Sequence, residues 1–209
     1  MKKIFMGFAL FVLCSISLNA QNKIDKINMT YGEELPDDKQ KIVKIIGEYN
    51  NKIYALGFKG KEEYFLKVFE SSTMKIISSN PIIIPQISDR EIDFEDVFLL
   101  NGKLYAIGSV YNKKEKIFNL VGSEISEKGV ISSKSVTLFN ATVAKKSERG
   151  GFYFKQSQDE GALLIMHASK FPKEDAVKYD IKLFDENLTT LFSNEEKVTF
   201  DDSKKDFEF

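Results

Sequence analysis

From Lys41 onward the chain alternates between short apolar or mixed runs and polar turns. "FEDVFLL", starting at Phe94, ends in Asn101-Gly102, a pair suited to a hairpin whose two central positions need positive φ. "KLYAIGSVY", the turn "NKKE", "KIFNLVGSEI", the turn "SEKG" and "VISSKSVTLF" follow. The pattern predicts four strands joined by three hairpins. The same order occurs just upstream: "KIVKIIGEY", "NN", "KIYALGFK", "GKE", "EYFLKVFE", "SST", "MKIISSNPIII". Ile53-Tyr54-Ala55-Leu56-Gly57 lies over Leu104-Tyr105-Ala106-Ile107-Gly108. From Gly151 a looser third copy runs "FYFKQS", "QDEG", "ALLIMHASK", "FPKEDA", "VKYDIKLFD", "EN", "LTTLFSNEEKVTF".

The strands within a copy differ in character. Ile53, Ala55 and Gly57 would share one face, and Tyr54, Leu56 and Phe58 the other, so this strand is expected to be covered on both sides. In the third copy Val177, Tyr179, Ile181 and Leu183 alternate with Lys178, Asp180 and Lys182, which predicts a half-exposed strand with its charges toward water. Four-stranded antiparallel units repeating at about 40–50 residues point to an all-β fold of propeller blades. Small residues at Ala55, Gly57, Ala106 and Gly108 are expected to allow close approach between blades. The alternative is a β-sandwich of about twelve short strands, which shares the alternation but not the repeated order of turns.

"YDIKLFDENLTTL", from Tyr179 to Leu191, carries a further signal: an apolar strand runs into an Asp at a turn, and the next strand opens on Leu. "FESSTMKII" at Phe69 and "GSEISEKGVI" at Gly122 are weaker versions. On these motifs the chain resembles secreted bacterial propeller-type proteins of the kelch-like and six-bladed groups. The resemblance implies a fold and transfers no catalytic residue. The kelch double glycine occurs only at Gly150-Gly151, and the chain has no Trp for a Trp-Asp repeat.

The blades are expected at about 41–84, 92–139 and 151–200, within one domain over 21–209. About three blades fall short of the typical 4–8 of a closed ring, so the propeller reads as incomplete. Asp206-Phe207-Glu208 repeats Asp93-Phe94-Glu95, as though a fourth blade started at 206–209. Lys23–Tyr31 reads as a lone flanking strand. Either the chain is a fragment of a longer protein, the favoured reading, or its open edges self-associate, because unpaired edges and uncovered faces favour association.

The N-terminus adds a destination. Lys2 and Lys3, the apolar run Ile4–Leu13 and the small, polar stretch up to Ala20 have the layout of a secretory signal peptide over 1–20, with cleavage after Ala20. The run is shorter than the roughly 20 apolar residues of a membrane anchor, and Val12-Leu13 before Cys14 do not suit lipidation. A secreted, periplasmic or cell-surface chain without a membrane span after cleavage is expected. Its single cysteine, Cys14, would leave with the leader, so burial and not disulfides must hold the fold. With 30 Lys and Arg against 31 Asp and Glu, no basic stripe marks a nucleic-acid surface.

Candidate chemistry is sparse. His167, the only histidine, sits in "LLIMHAS" and reads as a half-buried strand residue with one hydrogen bond, not a metal ligand or general base. "SDREIDFED" gathers Asp89, Glu91, Asp93, Glu95 and Asp96; their alternation with Ile92 and Phe94 reads as a solvated strand face, with a calcium or glycosidase site as the rival. Asp37-Asp38 and Asp201-Asp202 read as turn acids, and "ERGGF" as a turn, not a phosphate loop. Asn28, Asn140 and Asn187 begin Asn-x-Thr sequons to which no function is attached. Tyr54, Tyr64, Tyr105, Phe118, Phe154 and Tyr179 read as core packing, with a sugar platform as the lesser option. No catalytic, cofactor-binding or metal residue is therefore assigned. The expected function is an exported non-catalytic binding or scaffold module for a protein or glycan. The alternatives are a propeller-fold glycan hydrolase or lyase and an inactive truncated product.

Overall fold

The computed structural model describes residues 23–24, 27–28, 39–60, 63–85, 92–143, 149–171 and 176–199. The expected leader over 1–20, the acids Asp37, Asp38, Asp89, Glu91, Asp201 and Asp202, and the expected fourth repeat at 206–209 lie outside these residues. The chain divides into two compact units, Met1–Pro36 and Asp37–Phe209. In the first, β1 (Lys23–Ile24) and β2 (Ile27–Asn28) pair antiparallel with each other. The single strand expected over Lys23–Tyr31 is thus, in its described part, two short strands paired with each other.

The second unit holds three four-stranded antiparallel sheets. The first is β3 (Lys41–Tyr49), β4 (Lys52–Lys59), β5 (Glu63–Glu70) and β6 (Ile76–Pro81). The second is β7 (Asp93–Leu100), β8 (Lys103–Asn112), β9 (Ile117–Ile125) and β10 (Ile131–Thr142). The third is β11 (Gly151–Gln156), β12 (Ala162–Phe171), β13 (Ala176–Asp185) and β14 (Thr190–Thr199). Within each sheet every strand lies beside its chain neighbour. A sandwich would draw strands of distant segments into one layer; here no described strand crosses between sheets.

The turns explain the repeat. Asn50 and Asn51 take φ of 50° and 60°, and Asn101 and Gly102 take 45° and 81°. "NN" and "NG" thus build the same left-handed two-residue hairpin, which asparagine and glycine tolerate best. In the third sheet Asp185 Oδ1 accepts the N–H groups of Asn187 and Thr189, both at 2.8 Å, and shapes the β13–β14 turn. Those backbone donors, Thr189 foremost, hold its carboxyl below the usual range.

Side-chain alternation then fills two cores. Val97 and Leu99 of β7, with Leu104 and Ala106 of β8, pack against Ile46, Tyr54, Leu56, Leu66 and Val68 of the first sheet. Phe98, Leu100, Tyr105 and Ile107 leave the opposite face and pack against Leu163, Ile165 and Phe184 of the third. The middle sheet is therefore apolar on both faces, as blades stacked in series require. The first strands lie side by side: Lys44 Nζ of β3 reaches Asp96 Oδ2 of β7 at 2.7 Å, and Gln156 Nε2 of β11 donates to the Leu99 carbonyl of β7. The arrangement is propeller-like: three consecutive sheets stacked face to face, with their first strands drawn together.

Three expectations need correction. Gly57 and Gly108 do not mediate sheet contact: a Cβ there would meet Lys67 and Ile92, respectively. The close approaches between sheets lie at Gly47, against Leu99, and at Gly122, against Leu188. The strand expected over 74–84 ends at Pro81, after which Ile83 donates to the Gly129 carbonyl of the second sheet at 3.1 Å. Lys178, Asp180 and Lys182 do not point into open water. They face the outer part of the second sheet, where Lys182 donates to the Leu138 carbonyl at 2.9 Å and stands over the Phe139 ring at 4.6 Å. Alternation correctly separates the two faces of β13, but it does not identify the one that a neighbouring sheet overlies.

Candidate binding cleft

The acids of the sequence cluster that the structure describes are structural staples. A bulge between Phe94 and Asp96 breaks the expected alternation. Asp93 pairs with Arg149 at 2.8 Å, Glu95 accepts the Ser109 hydroxyl at 2.5 Å, and Asp96 pairs with Lys44. Asp93 and Asp96 thus tie the middle sheet to the segments on either side of it. Glu160 is different: burial pushes its carboxyl up, opposed only by a hydrogen bond from the Glu48 backbone.

His167 is wholly buried, not half-buried. It lies opposite Phe152 on one neighbouring strand and Asp180 on the other. Its ring stacks on Phe152, with centroids 4.7 Å apart and planes 26° from parallel, and Phe118 and Phe139 close around it. Nε2 lies 2.6 Å from the Arg149 carbonyl, so Nε2 carries the hydrogen and donates it. Nδ1 is buried without a hydrogen-bond partner and faces Asp180 Oδ2 at 3.7 Å. With Nε2 occupied, the ring has no nitrogen exposed for general-base work.

Asp180 forms part of the wall of a polar cleft of about 350 Å³ between the outer strands of the second and third sheets. Asn140 and Thr142 of β10 line one side. Ser169 of β12, Lys178 of β13, and Ser193 and Glu195 of β14 line the other. Lys178 joins the two acids, lying 2.8 Å from Glu195 and 3.5 Å from Asp180. Burial pulls the Lys178 ammonium down, but the carboxylates outweigh it and leave it raised; Lys178 in turn holds the Glu195 carboxyl low. The cleft presents hydroxyls, an amide and mutually neutralised charges, all on strands.

Of the aromatic positions, Tyr54, Tyr105 and Phe118 are buried as expected. Tyr64 packs on Phe94 at 4.3 Å and Phe154 on Phe98 at 5.4 Å, each between sheets, while Tyr179 is half-buried. The repeated tyrosine also has a second role that the sequence pattern concealed. Tyr54 donates its hydroxyl to Glu127 Oε1 at 2.7 Å, and Lys52 Nζ meets the same carboxylate at 2.8 Å. One sheet further on, Tyr105 donates to the Glu186 carbonyl at 3.1 Å and Lys103 to Asn187 Oδ1 at 2.6 Å. In both copies Lys-x-Tyr of the second strand grips the last turn of the following sheet. Burial, then the Glu127 bond, pushes the Tyr54 phenol well up, while Lys52 and then Tyr54 hold Glu127 down. The recurrence of "K-x-Y" at Lys52 and Lys103 was the available signal for this clasp.

Among the described residues no group of three or more His, Cys, Asp and Glu side chains is placed to hold a metal ion. No protein-family model and no curated protein sequence matches the chain. Among solved structures it is similar to the endo-arabinase of Bacteroides thetaiotaomicron VPI-5482, with a TM-score of 0.40 and 11% identity over 79% of this chain and 68% of that one. It is also similar to the WD40 domain of SCAP from fission yeast, with a TM-score of 0.32 and 8% identity, covering 87% of this chain but only 47% of that one.

Proposed function

We propose that this chain is an exported, non-catalytic binding or scaffold module of propeller type, which holds a protein or glycan without transforming it. The cleft between β10 and β13–β14 carries the reading. A hydrolytic general acid needs a carboxyl raised toward neutrality, whereas Lys178 holds Glu195 low. Asp180 is tied to that same lysine. Such a surface can exchange hydrogen bonds with a ligand, while its charged groups are paired with one another. Export rests on the leader-like N-terminus.

The hydrolase alternative would have to begin at Glu160, whose carboxyl is raised. A glycosidase also needs a second carboxyl about 5–10 Å away, and the described acids of the 89–96 cluster are engaged elsewhere, Asp93 with Arg149, Glu95 with Ser109 and Asp96 with Lys44. The test is to incubate the chain with polysaccharides and peptides, follow retention by co-sedimentation, and search for products by mass spectrometry. Retention without new products is expected. Products formed by the native chain and lost in Glu160→Gln would replace the binding reading with the hydrolase.

A further inference from the structure

We infer that the cleft between β10 and β13–β14 is a binding site for a neutral saccharide, read out at His167; this rests on the binding-module reading and supplies its ligand class. The lysines facing the cleft region are already engaged, Lys178 with Glu195 and Asp180, and Lys182 with the Leu138 carbonyl and the Phe139 ring. An anionic ligand would meet Asp180 and Glu195, and a cationic one would meet the two lysines. A neutral ligand rich in hydroxyls meets neither penalty and can exchange hydrogen bonds with Asn140, Ser169 and Ser193, which line the walls. The volume, about 350 Å³, lies near the lower end of the roughly 300–1,000 Å³ of small-molecule sites. It therefore suits a saccharide unit and not a long polymer segment. The lining is polar, unlike that of most sites of this size, which argues against an apolar ligand.

His167 is fully buried, its Nε2–H is committed to the Arg149 carbonyl, and its Nδ1 has no hydrogen-bond partner. The atom facing Nδ1 is Asp180 Oδ2, 3.7 Å away, and Asp180 belongs to the cleft wall. In the Nε2–H tautomer these are two acceptors turned toward each other, and the buried Nδ1 stays unmet. A hydroxyl entering beside Asp180 donates a hydrogen bond into this pair and withdraws charge from Oδ2. The ring cannot turn away, because Phe152 stacks on it and the Arg149 carbonyl holds its far side. The buried ring is thus a fixed sensor behind the carboxylate that the ligand touches.

The chain has a single histidine, so its ring nitrogens give an unambiguous signal. The experiment titrates ¹⁵N-histidine-labelled full-length protein with galactose and N-acetylglucosamine, and with glucosamine and glucuronate as the cationic and anionic counterparts. A saturable shift of the His167 Nδ1 resonance is expected with the neutral sugars, at least tenfold weaker with either charged one. Ser193→Trp, at an exposed strand position opposite Lys182, should fill the cleft, leave the ligand-free spectrum folded, and lose the response. Asn140→Trp, exposed on the facing wall, should do the same and covers the case in which the first variant misfolds. No saturable shift with the neutral sugars, an undiminished response in both Trp variants, or equal binding of the charged sugars would overturn the site. Any of these results leaves the binding-module reading standing, whereas sugar release from a polysaccharide in the parallel assay would overturn that reading and leave the site intact.

Discussion

Replacing Tyr54 by Phe isolates one bond of the clasp between the first two sheets. The hydroxyl donates to Glu127 Oε1 at 2.7 Å, and a hydrogen bond to a charged group contributes about 1.5–3 kcal/mol. Glu127 and Lys52 keep 42% and 35% of their side-chain surface exposed, so water replaces part of what is lost. The expected cost is accordingly about 1–2 kcal/mol. Tyr105→Phe is the internal control. Its hydroxyl donates to a neutral peptide carbonyl at the longer distance of 3.1 Å, and about 0.5–1 kcal/mol is expected. The two variants should also differ in their response to acid. Lys52, then Tyr54, holds Glu127 below its ordinary value of 4.5. A carboxyl depressed in the folded state contributes stability above its unfolded pKa and loses it as pH falls through the folded one. The Tyr54→Phe penalty should therefore shrink between pH 7 and about pH 3, while the Tyr105→Phe penalty stays level, because a peptide carbonyl does not titrate there. Urea unfolding followed by far-ultraviolet circular dichroism at both pH values measures this. Equal penalties for the two variants at pH 7, or a Tyr54→Phe penalty unchanged in acid, would refute the assignment of Glu127 as the charged end of the clasp.

Gly122→Val should destabilise by about 1–3 kcal/mol through overpacking, because even a Cβ at 122 would stand 2.6 Å from Leu188 Cδ1 and 3.2 Å from Ile107 Cδ1. A thermal midpoint no lower than that of the native chain would show that these sheets can move apart freely. Leu99→Ala, at a fully buried position in the core between the first two sheets, should cost about 2–5 kcal/mol in a urea titration. A loss under about 1 kcal/mol, well short of the usual cavity cost, would mean that this core collapses around the gap.

Much of the architecture was legible because its signals are short-range. The positive-φ turns at Asn50-Asn51 and Asn101-Gly102 follow from residue types that tolerate that conformation. The double coverage expected for Lys52–Lys59 is observed: Ala55 is buried on one face, and Tyr54 and Leu56 on the other. The candidate site was far less legible. The sequence marks His167 as a strand residue, but its apolar neighbours in sequence do not reveal that Phe152 and Phe118 enclose the ring or that Asp180 faces Nδ1. Nothing local to the polar turn "SEKG" marks Glu127 as having a partner on β4.

Alternation and turn chemistry, read from the sequence alone, were enough to define the all-β class, the antiparallel order and the grouping into three four-stranded units, since each depends on residues a few positions apart. The tertiary structure decided which faces meet. Lys178, Asp180 and Lys182 share one side of a strand in any fold; only the sheet lying over them turns that side into the wall of a cleft. The separation has a physical cause. A strand's two faces are set by its own backbone, but what covers each face is set by the packing of sheets distant in sequence, and that packing also determines the environment of every polar group between them.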